Sequence, residues 1–546
     1  MQPSTLAKRG SIFLFLAFIL FYFYGLGQLP FVGPDEPRYA QVAHEMFLRR
    51  DWITPTLGGY LWFEKPALLY WMAIAAFKLF GISEWSARTA GAICGLLTVA
   101  AVYWICRRTK RGETNQPGDA IGFWSALVAG TSGGLIVFSR AVSFDIVVTM
   151  TIAWALAFFF AAELEVEVKS QRRLLVGFYL AIGISLLAKG LVGFVIPFGV
   201  IGAYYTLRGK APARNLRLSV LWGIPLSLAV AAIWYGPMFW KHGTLFFDEF
   251  IIKHHFERYA TNKYHHPGPI YYYLVVLPLL ALPWSALLVD GVLKARKAFW
   301  KGRDDATSRL QLFALAWVLL PLIFFSFSSS KLPGYILPVL PAVALLVGLR
   351  LAQFDSESKS NWAMTATGVL GLVFAITLLV FAWQSGKISI RAALIMAAFS
   401  GAGGTLALLL REQKRAAAIF IGVATLAIAL VALHSVAPGL AEAESSRRLI
   451  QLADERGYAR APLFGLQRND RSPEFYAAGR VIYGEDHEPV MYDGIDQVIH
   501  ESQLRKETVL FLIPLRDLDS LRQAESVRTD AIANNGRVAI VAVTPL

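Results

Sequence analysis

The chain has 546 residues, of which 56% are hydrophobic and only 16% charged. That composition excludes a soluble globule and points to a mainly α, polytopic helical membrane protein. The net charge of +14, with a pI near 9.6, is assigned to cytoplasmic loops and anionic headgroups. No basic run is interleaved with exposed aromatics, so nucleic acid is not expected as a partner.

Lys8-Arg9 precede an apolar stretch from Ile12 to Tyr24, with no small-residue cleavage site after it. The stretch reads as a retained first span rather than a signal peptide. Apolar runs long enough to cross about 30 Å of hydrocarbon number about thirteen. Their expected limits are 11–29, 85–106, 119–138, 142–162, 173–188, 190–207, 217–240, 272–290, 310–327, 333–350, 362–383, 389–410 and 415–436. Cys94 and Cys106 fall on one of these helices, about 18 Å apart. That is too far for a disulfide, so they carry no information on redox compartment.

With the N-terminus inside, the cytoplasmic loops carry Arg107-Arg108-Lys110-Arg111, Arg172-Arg173, Arg208 to Arg217, Lys294 to Arg303, and Arg411 to Arg415. Alternate loops are poorer in Lys and Arg, which is the positive-inside pattern. An odd number of spans then puts the C-terminus outside. The two largest outer loops are 30–84 and 241–271. In the first, Tyr39–Phe47 and Ala67–Phe80 are each expected to form an amphipathic interfacial helix.

Six polar clusters come out on that outer side, and charge near a bilayer core usually marks a substrate path. Asp35-Glu36 sit between Pro34 and Pro37, a stiff turn that also suits a helix N-cap. Glu64-Lys65 are neighbours before Pro66, where lysine is a point-charge binder of phosphate or a snorkelling side chain. Arg140 and Asp145 share a very short outer loop that is also readable as a plain turn with an Arg–Asp pair. Lys189 stands in a hairpin between two spans. His254-His255 and Arg258 precede His265-His266, so four of the nine histidines lie within residues 254–266. Imidazole raises metal binding there, but the spacing fits no dedicated zinc motif. His255 and Arg258, three residues apart, equally suit a cationic patch for phosphate. Lys331 opens Lys331-Leu332-Pro333-Gly334-Tyr335. A lysine opposes the helix dipole at such a start and makes better sense beside a bound anion.

Near residue 438 the composition turns polar. Helix-like stretches (Glu444–Glu455, Asp496–Leu504) alternate with strand-like ones (Leu463–Leu466, Val481–Tyr483, Val509–Ile513, Val538–Val543). The expected organisation is a membrane domain over 1–437 and a small α/β domain over 438–546 on the outer face. There is no internal repeat.

Five stretches, in this order, resemble the bacterial lipid A aminoarabinose transferase family. They are Asp35-Glu36-Pro37-Arg38-Tyr39, Phe63-Glu64-Lys65-Pro66, Ala188-Lys189-Gly190, His255-Phe256-Glu257-Arg258-Tyr259 and Ser330-Lys331-Leu332-Pro333-Gly334-Tyr335-Ile336-Leu337-Pro338. That family belongs to the protein O-mannosyltransferase-like group of GT-C membrane glycosyltransferases. Ala67 and His254 depart from the family's frequent proline and acid.

The resemblance implies a sugar carried on a polyprenyl phosphate as donor. It implies lipid A or another envelope glycan or protein as acceptor, membrane lipids as surroundings, and inverting transfer at the periplasmic face of the bacterial inner membrane. Lys65, Lys331, Arg258, Lys189 and Tyr335 are then expected around the donor phosphate. Asp35, Glu36 and Asp145 are expected as catalytic carboxylates. No cofactor is required, and a divalent metal at Glu64 and His255 stays open. Two other readings remain: a flippase or transporter of a lipid-linked substrate, which predicts midplane charge and repeated halves, and a non-catalytic envelope-assembly partner.

Overall fold

The computed structural model describes residues 3–109, 118–250, 268–300, 305–354, 362–386, 388–410, 413–467 and 470–546. The chain is a mainly helical multi-pass membrane protein with a small C-terminal sheet. Among the described residues, nine helices are long and apolar enough to cross a bilayer. Two more pairs pass only when taken together: Gly118–Thr131 with Gly133–Ser139, bent by 61°, and Tyr272–Leu280 with Ser285–Lys297, bent by 113°. Counting each pair as one span gives eleven, rather than the thirteen expected. The expected spans 11–29 and 190–207 fall on shorter apolar helices, Arg9–Phe23 and Val192–Arg208.

The two bends satisfy one another. Gly133 N donates to Leu282 O at 2.9 Å, and Trp284 Nε1 donates to Thr131 Oγ1 at 3.0 Å. Backbone released from a helix at membrane depth needs a protein partner. Here the Gly133 N–Leu282 O bond pairs a backbone donor of one break with a backbone acceptor of the other, and the Trp284–Thr131 side-chain bond adds to it.

The chain folds into two compact units. The first comprises Met1–Tyr24, Phe63–Leu69 and Thr89–Leu433. Its helix Phe144–Leu164 starts with Ser143 accepting from Asp145 N, then runs apolar for five turns. At its far end Glu163 accepts from Arg208 at 2.7 Å, from Arg309 at 2.6 Å and from the Tyr205 hydroxyl. The charged residues thus sit at the helix ends, as a span demands.

The second unit comprises Gly25–Trp62, Tyr70–Arg88 and His434–Leu546. It groups both expected interfacial segments with the C-terminal region, whereas the sequence reading placed them with the membrane domain. The first segment is the amphipathic helix Asp35–Arg49, longer than expected. The second lies on the helix Leu68–Phe80. A hairpin of β1 (Thr56–Leu57) and β2 (Tyr60–Leu61) follows the first helix. Gly58 and Gly59 both have positive φ and turn it, and their N–H groups donate to Glu45 at 2.7 and 3.2 Å.

The C-terminal sheet comprises β3 (Leu463–Leu466), β4 (Met491–Tyr492), β5 (Val509–Pro514), β6 (Val527–Asn534) and β7 (Val538–Pro545), in the order β4-β3-β5-β7-β6. β3 is parallel to both its neighbours, and β7 is antiparallel to both of its own. Leu510, Leu512 and Ile540 face a core closed by Leu449 and Ile450. Phe511, Ile513 and Val541 face the opposite core, closed by Val498 and Leu521. Burial on both faces explains why β5 and β7 read as continuous apolar runs. Val481–Tyr483, expected as a strand, makes only isolated bridges to Leu463 and Pro489.

Candidate functional site

In the first unit three of the singled-out residues meet. Asp145, in the first turn of Phe144–Leu164, pairs with Lys189, the last residue of helix Val168–Lys189. The Lys189 ammonium lies 4.7 Å from the centroid of the Tyr335 ring, a cation–π distance. Tyr335 belongs to the 3₁₀ turn Pro333–Val339, which begins the span ending at Gln353. The turn approaches so closely that a Cβ on Gly334 would stand 1.9 Å from Asp145 Oδ2. The alternative of an Arg140–Asp145 pair across this short loop is not what forms. Asp145 takes Lys189, while Arg140 donates to Phe21 O at 3.1 Å and Tyr24 O at 2.6 Å at the end of the first helix.

Lys331 is only 9% exposed, and its ammonium donates to Ser328 O at 2.5 Å. An ammonium has three donors, so that bond leaves capacity for an anion. Ser330 Oγ beside it is buried without a hydrogen-bond partner among the described residues. Lys65 is also 9% exposed and donates to Glu64 at 2.6 Å. Phe63 just before them packs on His242 and Phe246, with ring centroids 5.1 and 5.5 Å away. That aromatic setting makes the Glu64-Lys65 pair stiffer and drier than a surface ion pair.

Asp35 and Glu36 belong to the second unit and diverge in environment. Asp35 is 52% exposed and its carboxylate accepts from Arg38 at 2.7 Å. Glu36 is buried, and the Arg88 fork holds both its oxygens at 2.7 and 2.8 Å. A bidentate buried pair fixes geometry strongly. Glu36, also expected as a catalytic carboxylate, is held in this buried pair at the turn beside Asp35. Arg258 and His255 lie outside the described residues. Among the described residues no three His, Cys, Asp or Glu side chains gather as a metal site, and Glu64 is bonded to Lys65.

The sequence matches the dolichyl-phosphate-mannose-protein mannosyltransferase family over residues 10–247. It is 29% identical over 385 residues to the undecaprenyl phosphate-alpha-4-amino-4-deoxy-L-arabinose arabinosyl transferase of Yersinia enterocolitica, covering 68% of this chain and 64% of that one. To the transferase of the same name from Aeromonas hydrophila it is 30% identical over 376 residues, covering 68% and 65%. The chain therefore spans slightly under two thirds of these relatives. The crystal structure of ArnT from Cupriavidus metallidurans bound to undecaprenyl phosphate superimposes with a TM-score of 0.78 over 97% of each chain, at 23% identity. The chain has the GT-C fold and is similar in sequence to aminoarabinose transferases.

Sequence reasoning on this transferase-like chain overlooked Arg88 and Glu84, in the first turns of the helix Glu84–Arg108, and Tyr476 in the C-terminal region. Glu84 and Arg88 stand four residues apart, so they share one helix face. An arginine inside the first turns of an otherwise apolar span was the signal available for finding them. Tyr476 carries no such local mark.

Proposed function

We propose that the protein transfers 4-amino-4-deoxy-L-arabinose from undecaprenyl phosphate to lipid A, at the periplasmic face of the bacterial inner membrane. The observation that carries this reading is the junction of Asp145, Lys189 and Tyr335 with the near-buried Lys331 four residues before that tyrosine, in a chain whose fold is that of a protein solved with undecaprenyl phosphate. The curated relatives' names supply the sugar. The alternation of Lys and Arg among the loops supports the sidedness.

The chemistry follows from the residue types. The bond from the anomeric carbon to the donor phosphate oxygen breaks, and its electron pair leaves with that oxygen. The product is a phosphate monoester with an added negative charge. Lys65 and Lys331, with Lys189 and Tyr335, stabilise that charge where it develops, and Arg258 joins them in this reading. An acceptor oxygen attacks the same carbon from the opposite side, so configuration inverts. A lipid A phosphate is already anionic, and Asp35 then orients it and stabilises positive charge on the sugar. For a hydroxyl acceptor, Asp35 takes the proton. No step of this reading uses a metal ion.

Mass spectrometry of lipid A tests it in cells that make the lipid-linked sugar. Aminoarabinose on lipid A only when the protein is present is the expected result. Unmodified lipid A in its presence would refute the assignment.

A further inference from the structure

We propose that Tyr476, in the C-terminal region, is a positioning residue for Asp35, acting with Arg88 through the backbone of residues 26–36. The proposal rests on the reading of Asp35 as a group at the transfer centre.

The segment between the first helix and Asp35 has no regular secondary structure of its own. Its geometry must come from partners, and the structure supplies them nearly residue by residue. Arg88 uses all five of its N–H donors. They go to Leu26 O at 2.8 Å, Leu29 O at 2.6 Å, Pro30 O at 2.9 Å and the two Glu36 oxygens. Val32 N donates to Glu36 Oε2 at 3.3 Å. The remaining link is Tyr476. Its hydroxyl accepts from Phe31 N at 2.8 Å and donates to Glu84 Oε1 at 2.9 Å. Glu84 stands one turn before Arg88 and also accepts from Arg447 at 2.9 Å.

The Phe31 ring is enclosed at the same point. Phe475 meets it edge-on at 4.8 Å, and the Arg88 guanidinium lies 5.0 Å from its centroid. Burial and the Glu84 carboxylate raise the Tyr476 hydroxyl above its usual value, so it remains a proton donor. Among the described residues Asp35 itself has one side-chain partner, Arg38, and it is half exposed. Its place is therefore set by the backbone leading into it, and Tyr476 ties that backbone to the C-terminal region. A misplacement of about 1 Å at a reacting group can cost about a hundredfold in rate.

The test uses the full-length protein in nanodiscs, with undecaprenyl phosphate-linked aminoarabinose as donor and lipid A as acceptor. Tyr476→Phe keeps the ring and removes both hydrogen bonds. We expect kcat to fall by about tenfold or more, with donor KM within about twofold and the unfolding temperature unchanged. In an Asp35→Asn background the same substitution should cause no further fall. Arg88→Lys, which keeps the charge but loses the fork, should likewise lower kcat and add no further fall in the Asp35→Asn background. A nitroxide on Asp35→Cys should gain mobility when Tyr476→Phe is added, a readout independent of turnover.

Wild-type kcat in Tyr476→Phe, an undiminished effect in the Asp35→Asn background, or an unchanged nitroxide spectrum would each overturn the proposal. The two readings separate cleanly. If Asp35→Asn is inactive while Tyr476→Phe is fully active, only the positioning role fails. A fully active Asp35→Asn removes Asp35 from the centre and the positioning role with it.

Discussion

Gly334 leaves no room for a side chain, because any Cβ there would meet the Asp145 carboxylate at 1.9 Å. Gly334→Ala must therefore push Asp145 away from Lys189 or lift the turn that carries Tyr335. We expect transfer to drop about tenfold or more while the protein still folds, checked by kcat beside an unfolding curve. Wild-type transfer in this variant would detach the Asp145–Lys189–Tyr335 junction from function. Lys65→Met and Lys331→Met keep most of the side-chain volume and lose the charge. Each should raise donor KM, lower kcat, or both, and steady-state kinetics on both variants decide it. Unchanged kinetics in the pair would remove these lysines from the phosphate site. At this scale the candidate cations were legible in the sequence, because a charge beside a span is conspicuous. Their partners were not. Sequence proximity offered Asp145 only its near neighbour Arg140 as an alternative partner, but its ion partner is 44 residues away at the end of the next helix.

Among the elements, the turn into helix Asp35–Arg49 depends on the Glu36–Arg88 pair. Removing one partner of a buried ion pair typically costs about 3–5 kcal/mol, since the other charge stays buried alone. Arg88→Met should therefore lower the unfolding temperature, whereas exposed pairs such as Arg522–Asp519 should matter little. Glu474 offers a pH test in the C-terminal region. Its carboxyl is raised above the ordinary glutamate value by burial, against the opposing pull of Arg471. A carboxyl raised on folding stabilises fully below its unfolded value, and that contribution is lost as pH rises through the folded value. Relative to Glu474→Gln, the wild type should thus lose thermal stability as pH climbs above about 4.5, measured as the difference in unfolding temperature between the two. Parallel pH curves would contradict the burial argument. The apolar spans and the strands β3, β5 and β7 could be read from their apolar runs. β6 escaped notice because Arg528, Thr529 and Asp530 break its apolar pattern and it pairs on one side only, with a bulge near Ala531. The two bent helix pairs also escaped, since hydropathy measures apolar length and cannot register hydrogen bonds between distant breaks.

For the whole molecule, the orientation proposed from loop charge yields a direct test. Cysteines at Tyr60 and His500 should react with an impermeant thiol reagent from the periplasmic face, and one at Lys210 should not. Native Cys94 and Cys106 are buried and should stay silent. Labelling at position 210 with protection at position 500 would invert the orientation. What loop charge does not carry is the grouping of 25–62 and 70–88 with the C-terminal region, which rests on pairs such as Phe31–Tyr476, 445 residues apart. The central claim is that this chain moves a sugar off undecaprenyl phosphate. The most direct test is release of undecaprenyl phosphate from its aminoarabinose adduct, with lipid A present, by purified wild type and Asp35→Asn in nanodiscs. The Aeromonas hydrophila relative serves as the positive control. Wild-type release coupled to aminoarabinosyl lipid A, falling about a hundredfold or more in Asp35→Asn, is the predicted result. No release by the wild type, where the control turns over, would contradict the account.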